Sequence, residues 1–222
     1  MTGKEVKDTK RRILKVASKL FAEKGFEGTS IRDIASEANV NLAAINYHFK
    51  NKNNLYCATF QMAYERMSEE INNISNDKNI NTKDFTWKVY NYFLENSSGL
   101  LNSFKLFMQP GVKIPPEFFD RNDENDFGPP GKEAFIEVIT RDVGKEIPFE
   151  GRHWAMRMIF SDIVHFAISM SSPIMKEKCK YVKHFNPEEK KRSIIFLVEA
   201  ILSYLKQNPE NWLPQVTDII EK

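Results

Sequence analysis

Apolar residues recur along this chain at helical intervals, and alternating runs of the kind that make strands are absent. Ile13, Ala17, Leu20 and Phe21 fall at i, i+4, i+7 and i+8, one face of a helix with Thr9 as its N-cap and Gly25 as its stop. Ser30-Ile-Arg-Asp33 has the form of a capping box and opens a short helix with Ile31, Ile34, Ala35 and Ala38 on its apolar side, ended by Asn39. Asn41 caps a third helix, 42–48, and Asn51 a fourth, running from 52 into the 70s. The polar, Asn-rich stretch 72–83 reads as a loop, followed by helices at 85–95 and 98–108. Residues 109–131 hold five of the ten prolines and three glycines, so they cannot form one helix. A connection of that length points to a functional or mobile loop, with gating of a pocket as one role. Helices follow at 132–145, 154–170 and 187–206, the last with Asn186 as cap and Pro187 in its first turn, and a short one is expected after Pro209. The pattern predicts an all-α protein.

With 222 residues, 41% hydrophobic and 28% charged, the chain has enough apolar material for a real core and room for one or two domains. The expected division is an N-terminal domain at 1–54 and a helical domain at 55–222. No apolar run reaches the ~18 residues of a membrane span. The polar start, Met-Thr-Gly-Lys-Glu, lacks the apolar stretch of a secretion signal, so a cytoplasmic location is expected. Cys57 and Cys179 form no metal or redox motif and read as reduced thiols. His48, His153, His165 and His184 have no Cys or His at metal spacing, and no nucleophile elbow, metalloprotease or phosphate-loop motif occurs. No catalytic residue, metal or cofactor is expected. The net charge of +2 is unevenly spread: residues 1–56 carry eleven basic and six acidic residues, a local +5, against −3 for the rest. Either the N-terminus meets a polyanion or it presents a Lys-rich solvated face.

Residues 30–49 have the spacing of a helix-turn-helix. Ala35 is small where the second helix crosses close. Asn39 stands where the turn needs a positive φ, which Asn tolerates best after Gly. Ile45 points back to the core beside Ile34, Ala38 and Val40. That leaves Leu42, Ala43, Asn46 and Tyr47 outward on the third helix, with His48 at its end. Small and amide side chains suit base edges and thymine methyls, and Asn46 can pair with adenine. Tyr47, His48 and Lys52 offer donors to phosphate oxygens. The other reading is a plain helical hairpin, with His48 packed as an aromatic.

These residues resemble the DNA-binding domain of the TetR (tetracycline-repressor-like) family of bacterial regulators. The likeness is carried by Ile13-Leu14, Ala17, Leu20-Phe21-Ala-Glu-Lys-Gly-Phe26, Thr29-Ser-Ile-Arg-Asp-Ile-Ala35, Val40 through Phe49, Lys52 and Leu55-Tyr56. Asn39 departs from the family's usual Gly, and Asn46-Tyr47-His48 shifts the Tyr by one position. The resemblance implies that Thr29, Ser30 and Arg32 touch the backbone or a groove edge. It implies that Asn41, Leu42, Ala43, Ala44 and Asn46 face bases, and that Tyr47, His48 and Lys52 clamp phosphates of double-stranded DNA.

In the remainder, residues 194–205 are apolar at all but Glu199 and Ser203, and 154–170 are apolar at twelve of seventeen positions. Helices apolar on most sides are buried on most sides. Either both are central in a monomer, or they pair with a second copy in a twofold four-helix bundle; the resemblance points to the homodimer. Aromatic and Met residues supply candidates for an apolar effector pocket: Trp87, Tyr90, Phe93, Phe104, Phe107, Met108, Trp154, Met158 and Phe166, with Asp162 and His165 as polar groups. The same stripes also suit a plain core, and Asp162 can pair with Arg157 or sit in a dimer seam. Three readings result: a ligand-responsive repressor, a helical carrier or enzyme with a merely structural hairpin, and a DNA-organising protein without an effector.

Overall fold

Of the five side chains expected to cap helices, Ser30, Asn41, Asn51 and Asn186 do so. Ser30 Oγ accepts from Asp33 N–H at 3.0 Å, Asn41 Oδ1 from Ala44 N–H at 2.7 Å, Asn51 Oδ1 from Asn54 N–H at 2.9 Å and Asn186 Oδ1 from Glu189 N–H at 2.8 Å. Each satisfies a backbone donor that the first helical turn leaves without a partner. The computed structural model describes residues 3–113, 128–182, 186–210 and 212. Among them there are ten helices and no strand: α1 (Gly3–Lys24), α2 (Ile31–Glu37), α3 (Leu42–Phe49), α4 (Lys52–Ser75), α5 (Thr82–Glu95), α6 (Ser97–Phe107), α7 (Lys132–Val143), α8 (Phe149–Ser169), α9 (Pro173–Lys178) and α10 (Pro187–Gln207). The protein is all-α, and no described helix is long and apolar enough to cross a membrane.

Thr9 is the exception among the caps. It lies inside α1, where its hydroxyl donates back to the Glu5 carbonyl at 2.8 Å, so the helix starts two turns earlier than expected. The loop expected at 72–83 shrinks to 76–81, because α4 runs to Ser75 and Asn81 caps α5 through Asp84 N–H at 2.9 Å. α8 begins at Phe149 directly after Pro148, and the six-residue α9 was not expected. Residues 114–127 of the Pro-rich segment, His184 and the expected helix after Pro209 lie outside the described residues.

Contacts divide the chain into two units. The first joins Met1–Met67 to Gly99–Gly128. Its core packs Ile13, Ala17, Leu20 and Phe21 of α1 against Ile34, Ala35 and Ala38 of α2, Ile45 and Phe49 of α3, and Leu55 and Tyr56 of α4. The Phe21, Phe26 and Tyr56 rings meet with centroids 4.9 to 6.0 Å apart. Tyr56 donates its hydroxyl hydrogen to the Leu106 carbonyl, and Leu106 joins the same core. These contacts take the unit past the 54/55 boundary expected from sequence.

The second unit comprises Ser68–Ser98 and Pro129–Lys222. In it α5, α7, α8 and α10 pack against one another. Phe85, Val89 and Phe93 of α5, Phe135, Val138 and Ile139 of α7, Met156, Ile159 and Ile163 of α8, and Ile194, Val198 and Leu205 of α10 are all buried, with the Phe85 and Phe135 rings edge-on at 4.8 Å. Gly131 enters α7 at φ 75°, and a Cβ there would lie 2.4 Å from Ile71 Cγ2, so this close approach admits glycine alone. Arg141 donates to the Asp77 and Lys78 carbonyls at 3.1 and 2.8 Å, fixing the turn between α4 and α5.

Candidate nucleic-acid interface

The turn between α2 and α3 is built by one backbone reversal. Asn39 takes φ 50°, and Val40 N–H donates to the Ala35 carbonyl at 3.0 Å. Ala35 is buried beneath this crossing, as are Ile45 and Phe49 on the inner side of α3. At the far end Lys50 ends α3 with φ 63° while its N–H donates to the Asn46 carbonyl at 2.9 Å. Lysine is not a residue that favours this conformation, so no sequence signal announced it.

With the inner face committed, Leu42, Ala43, Asn46 and Tyr47 are exposed along one side of α3, Tyr47 at 78%. Asn41 is exposed but spends its Oδ1 on capping, which leaves its amide donor for a base edge. Ala44 is half-buried. His48 is also half-buried, its ring 5.2 Å from that of Tyr47 and 5.9 Å from that of Phe49, so it packs and still reaches solvent. Lys52 holds its ammonium 4.3 Å from the Phe26 ring centre, a cation–π contact that fixes the start of α4.

Arg32 and Ser30 are exposed at the start of α2. Ser30 also donates to Asp33 Oδ2 at 2.7 Å, and these hydrogen bonds hold the Asp33 carboxyl below the usual carboxylate range. Thr29 corrects the expectation of a groove-edge side chain. It is 1% exposed and its hydroxyl lies 2.8 Å from the Gly25 carbonyl and 3.1 Å from that of Leu20, so it ties the end of α1 to the start of α2. Lys19, on the outside of α1, pairs with Glu37 at 2.9 Å.

The effector candidates do not assemble as one set. Phe104, Phe107 and Met108 sit on or just after α6 in the first unit and are exposed, Phe107 stacking on Phe60 at 6.0 Å. Phe93 is core, edge-on to Phe160 at 5.7 Å. Trp154 lies beside Tyr204 and Trp212, and Met158 and His165 are exposed. Trp87, Tyr90, Asp162 and Phe166 do come together, around a residue that sequence reasoning missed. Lys190, 5% exposed, places its ammonium 3.1 Å from Asp162 Oδ2, 4.1 Å from the Phe166 ring centre and 5.9 Å from that of Tyr90. Lys191 lies over Trp87 at 5.5 Å. Lys190 continues the buried register of Ile194 and Val198, four residues apart, and that periodicity was the signal that could have found it. A shallow open depression of about 430 Å³ lies elsewhere in this unit, between Asp142, Glu146 and Lys206, and none of the candidates lines it.

Residues 13–59 match the family described as bacterial regulatory proteins, tetR family. The transcriptional regulator AcrR of Shigella flexneri is 35% identical over 68 residues, 31% of this chain and 32% of that protein. The negative regulator of the biofilm operon, IcaR of Staphylococcus aureus, is 34% identical over 62 residues, 28% of this chain and 33% of that protein. The chain thus spans about a third of the length of these relatives. The regulator FadR of Bacillus subtilis, solved in complex with stearoyl-CoA, shares the fold over 88% of this chain and 96% of its own, with a TM-score of 0.55 and 19% identity. Both sequence relatives are named as transcriptional regulators and neither as an enzyme. Over residues 13–59, its N-terminal helix-turn-helix, the chain carries the DNA-binding domain of the TetR family of bacterial regulatory proteins.

Proposed function

We propose that this protein is a ligand-responsive transcriptional repressor that binds a pseudo-palindromic operator as a homodimer in the cytoplasm. The observation that carries the reading is the two-sided α3, with Ile45 and Phe49 buried and Leu42, Ala43, Asn46 and Tyr47 exposed. A hairpin with a purely structural task has no use for an amide and a phenol presented on one side of a helix capped at its start and turned sharply at its end. Asn46 reads a base, Leu42 and Ala43 press on thymine methyls, and Tyr47, His48 and Lys52 engage phosphates. Arg32 and Ser30 contact the flanking backbone, and Asn41 adds an amide donor.

One eight-residue helix makes few base contacts, so two copies related by a dyad supply the specificity. The outer sides of α8 and α10 suit that pairing: Met158, Ser161 and His165 are exposed on the first, and Phe196 and Ala200 on the second. The effector is a small, largely apolar molecule held near Trp87, Tyr90 and Phe166, with Asp162 and Lys190 as the polar anchor. Its influence on DNA binding arises from differential affinity for two dimer geometries.

Selection of bound sequences from a random duplex pool, followed by Asn46→Ala, tests the reading. The variant is expected to lose ~1–3 kcal/mol at one operator position and little on random DNA. Equal loss on specific and random duplexes would remove base reading from Asn46, and recovery of no sequence at all would sink the proposal.

A further inference from the structure

α1 is longer than the domain it serves. The family match begins at Ile13, and Ile13 is also the first buried apolar residue, yet the helix begins at Gly3. Ten helical residues therefore precede the core, a length of ~15 Å at 1.5 Å per residue. Five of the ten, Lys4, Lys7, Lys10, Arg11 and Arg12, are basic, against Glu5 and Asp8.

Their placement on the helix is informative. The inward stripe of α1 runs Phe21, Ala17 and Leu14, and one turn further towards the N-terminus the same stripe arrives at Lys10 and then Lys7. Both lysines are exposed, as are Arg11, Arg12 and Lys15. The face that meets protein in the second half of the helix thus carries Lys10 and Lys7 in the first half, beside the half-buried Val6. Such a face suits a dense polyanion rather than an apolar partner. Duplex DNA supplies one negative charge per ~1.7 Å of axis, so an arm of this length spans several phosphates.

We propose that residues 3–12 form a second DNA-binding element, an arm that follows the phosphate backbone beside the bases read by α3. This rests on the function proposed above and extends it. The arm carries no base-reading amide, so it adds affinity, salt dependence and footprint length without changing sequence preference.

The test is the triple variant Lys7→Ala, Lys10→Ala, Arg11→Ala in the full chain. Alanine favours helix at each position, and circular dichroism checks that α1 persists. The slope of log affinity against log salt is expected to fall by about 0.9 for each phosphate that the arm no longer neutralises. The protected footprint should shorten on its outer flanks, while the ratio of operator to random-duplex affinity stays unchanged. A second triple variant, Lys176→Ala, Lys178→Ala, Lys180→Ala on and just after α9, removes equal charge elsewhere. If both triples lower the slope alike, or if the arm variant keeps the parent slope and footprint, the arm is not a DNA-binding element. Failure of the parent chain to bind any duplex would overturn the arm together with the function beneath it, whereas failure of the arm variant alone to differ leaves the Asn46 reading intact.

Discussion

The Lys190 ammonium lies 3.1 Å from the Asp162 carboxylate and is the more buried of the two, with side-chain exposures of 7% and 41%. Removing the carboxylate strands a cation in an aromatic setting, whereas removing the lysine leaves an acid that still reaches water. Asp162→Asn should therefore lower unfolding free energy by about 1–2 kcal/mol, less than for a fully buried pair because solvent already screens the acid. Lys190→Met, which keeps the volume and rests on the Phe166 ring, should change it by less than about 1 kcal/mol. Urea denaturation of both variants checks the asymmetry.

Two buried tyrosines should contribute to behaviour in alkali. Burial pushes the Tyr56 phenol up to about 12 from its ordinary 10, and burial, with Cys179 and Asp162 nearby, does the same for Tyr90. In the unfolded chain both release a proton near pH 10, so between pH 10 and 12 unfolding releases protons and stability falls as pH rises. The contribution is whole below pH 10 and gone above 12. Tyr56→Phe and Tyr90→Phe should each flatten this alkaline limb in pH-dependent denaturation. Tyr56→Phe should also cost about 1 kcal/mol at neutral pH, through loss of the hydrogen bond to Leu106.

Phe196 is 72% exposed in the middle of α10, between the buried Ile194 and Val198. If this side of α10 pairs with a second copy, Phe196→Glu places two carboxylates near the dyad. Sedimentation should then show a single subunit at micromolar concentration, with the fold retained and operator affinity reduced by tenfold or more. A variant that still sediments as a dimer would move the seam elsewhere.

Lys52 combines a charge with packing on Phe26. Lys52→Met keeps the aliphatic stem over the ring and removes the ammonium, so it separates the two roles. The salt slope of DNA binding should flatten by about one unit while thermal stability changes little.

The readable parts of this molecule are those set by neighbours in the chain. Ser30, Asn41 and Asn186 were legible because a cap bonds an amide three residues away, and Asn39 because its turn needs a conformation few residues tolerate. Thr9 misled because a threonine hydroxyl inside a helix can turn back to the carbonyl four residues earlier, as this one does to Glu5. The family resemblance puts Thr29 with Ser30 and Arg32 at the DNA, whereas two carbonyls at the end of α1 draw its side chain in. The grouping of Trp87, Tyr90, Asp162 and Phe166 depends on Lys190, distant in sequence, and aromatic content alone could not separate these residues from Phe104 and Phe107, which belong to the other unit.

α3 divides its labour by side. What anchors it, Ile45 and Phe49, shares no atom with what it displays at Leu42, Ala43 and Asn46. Under the proposed function, new target sequences can therefore arise by exchange at the displayed positions, one substitution at a time, with the scaffold intact throughout, so that a duplicated copy of this chain would diverge towards other promoters through folded intermediates.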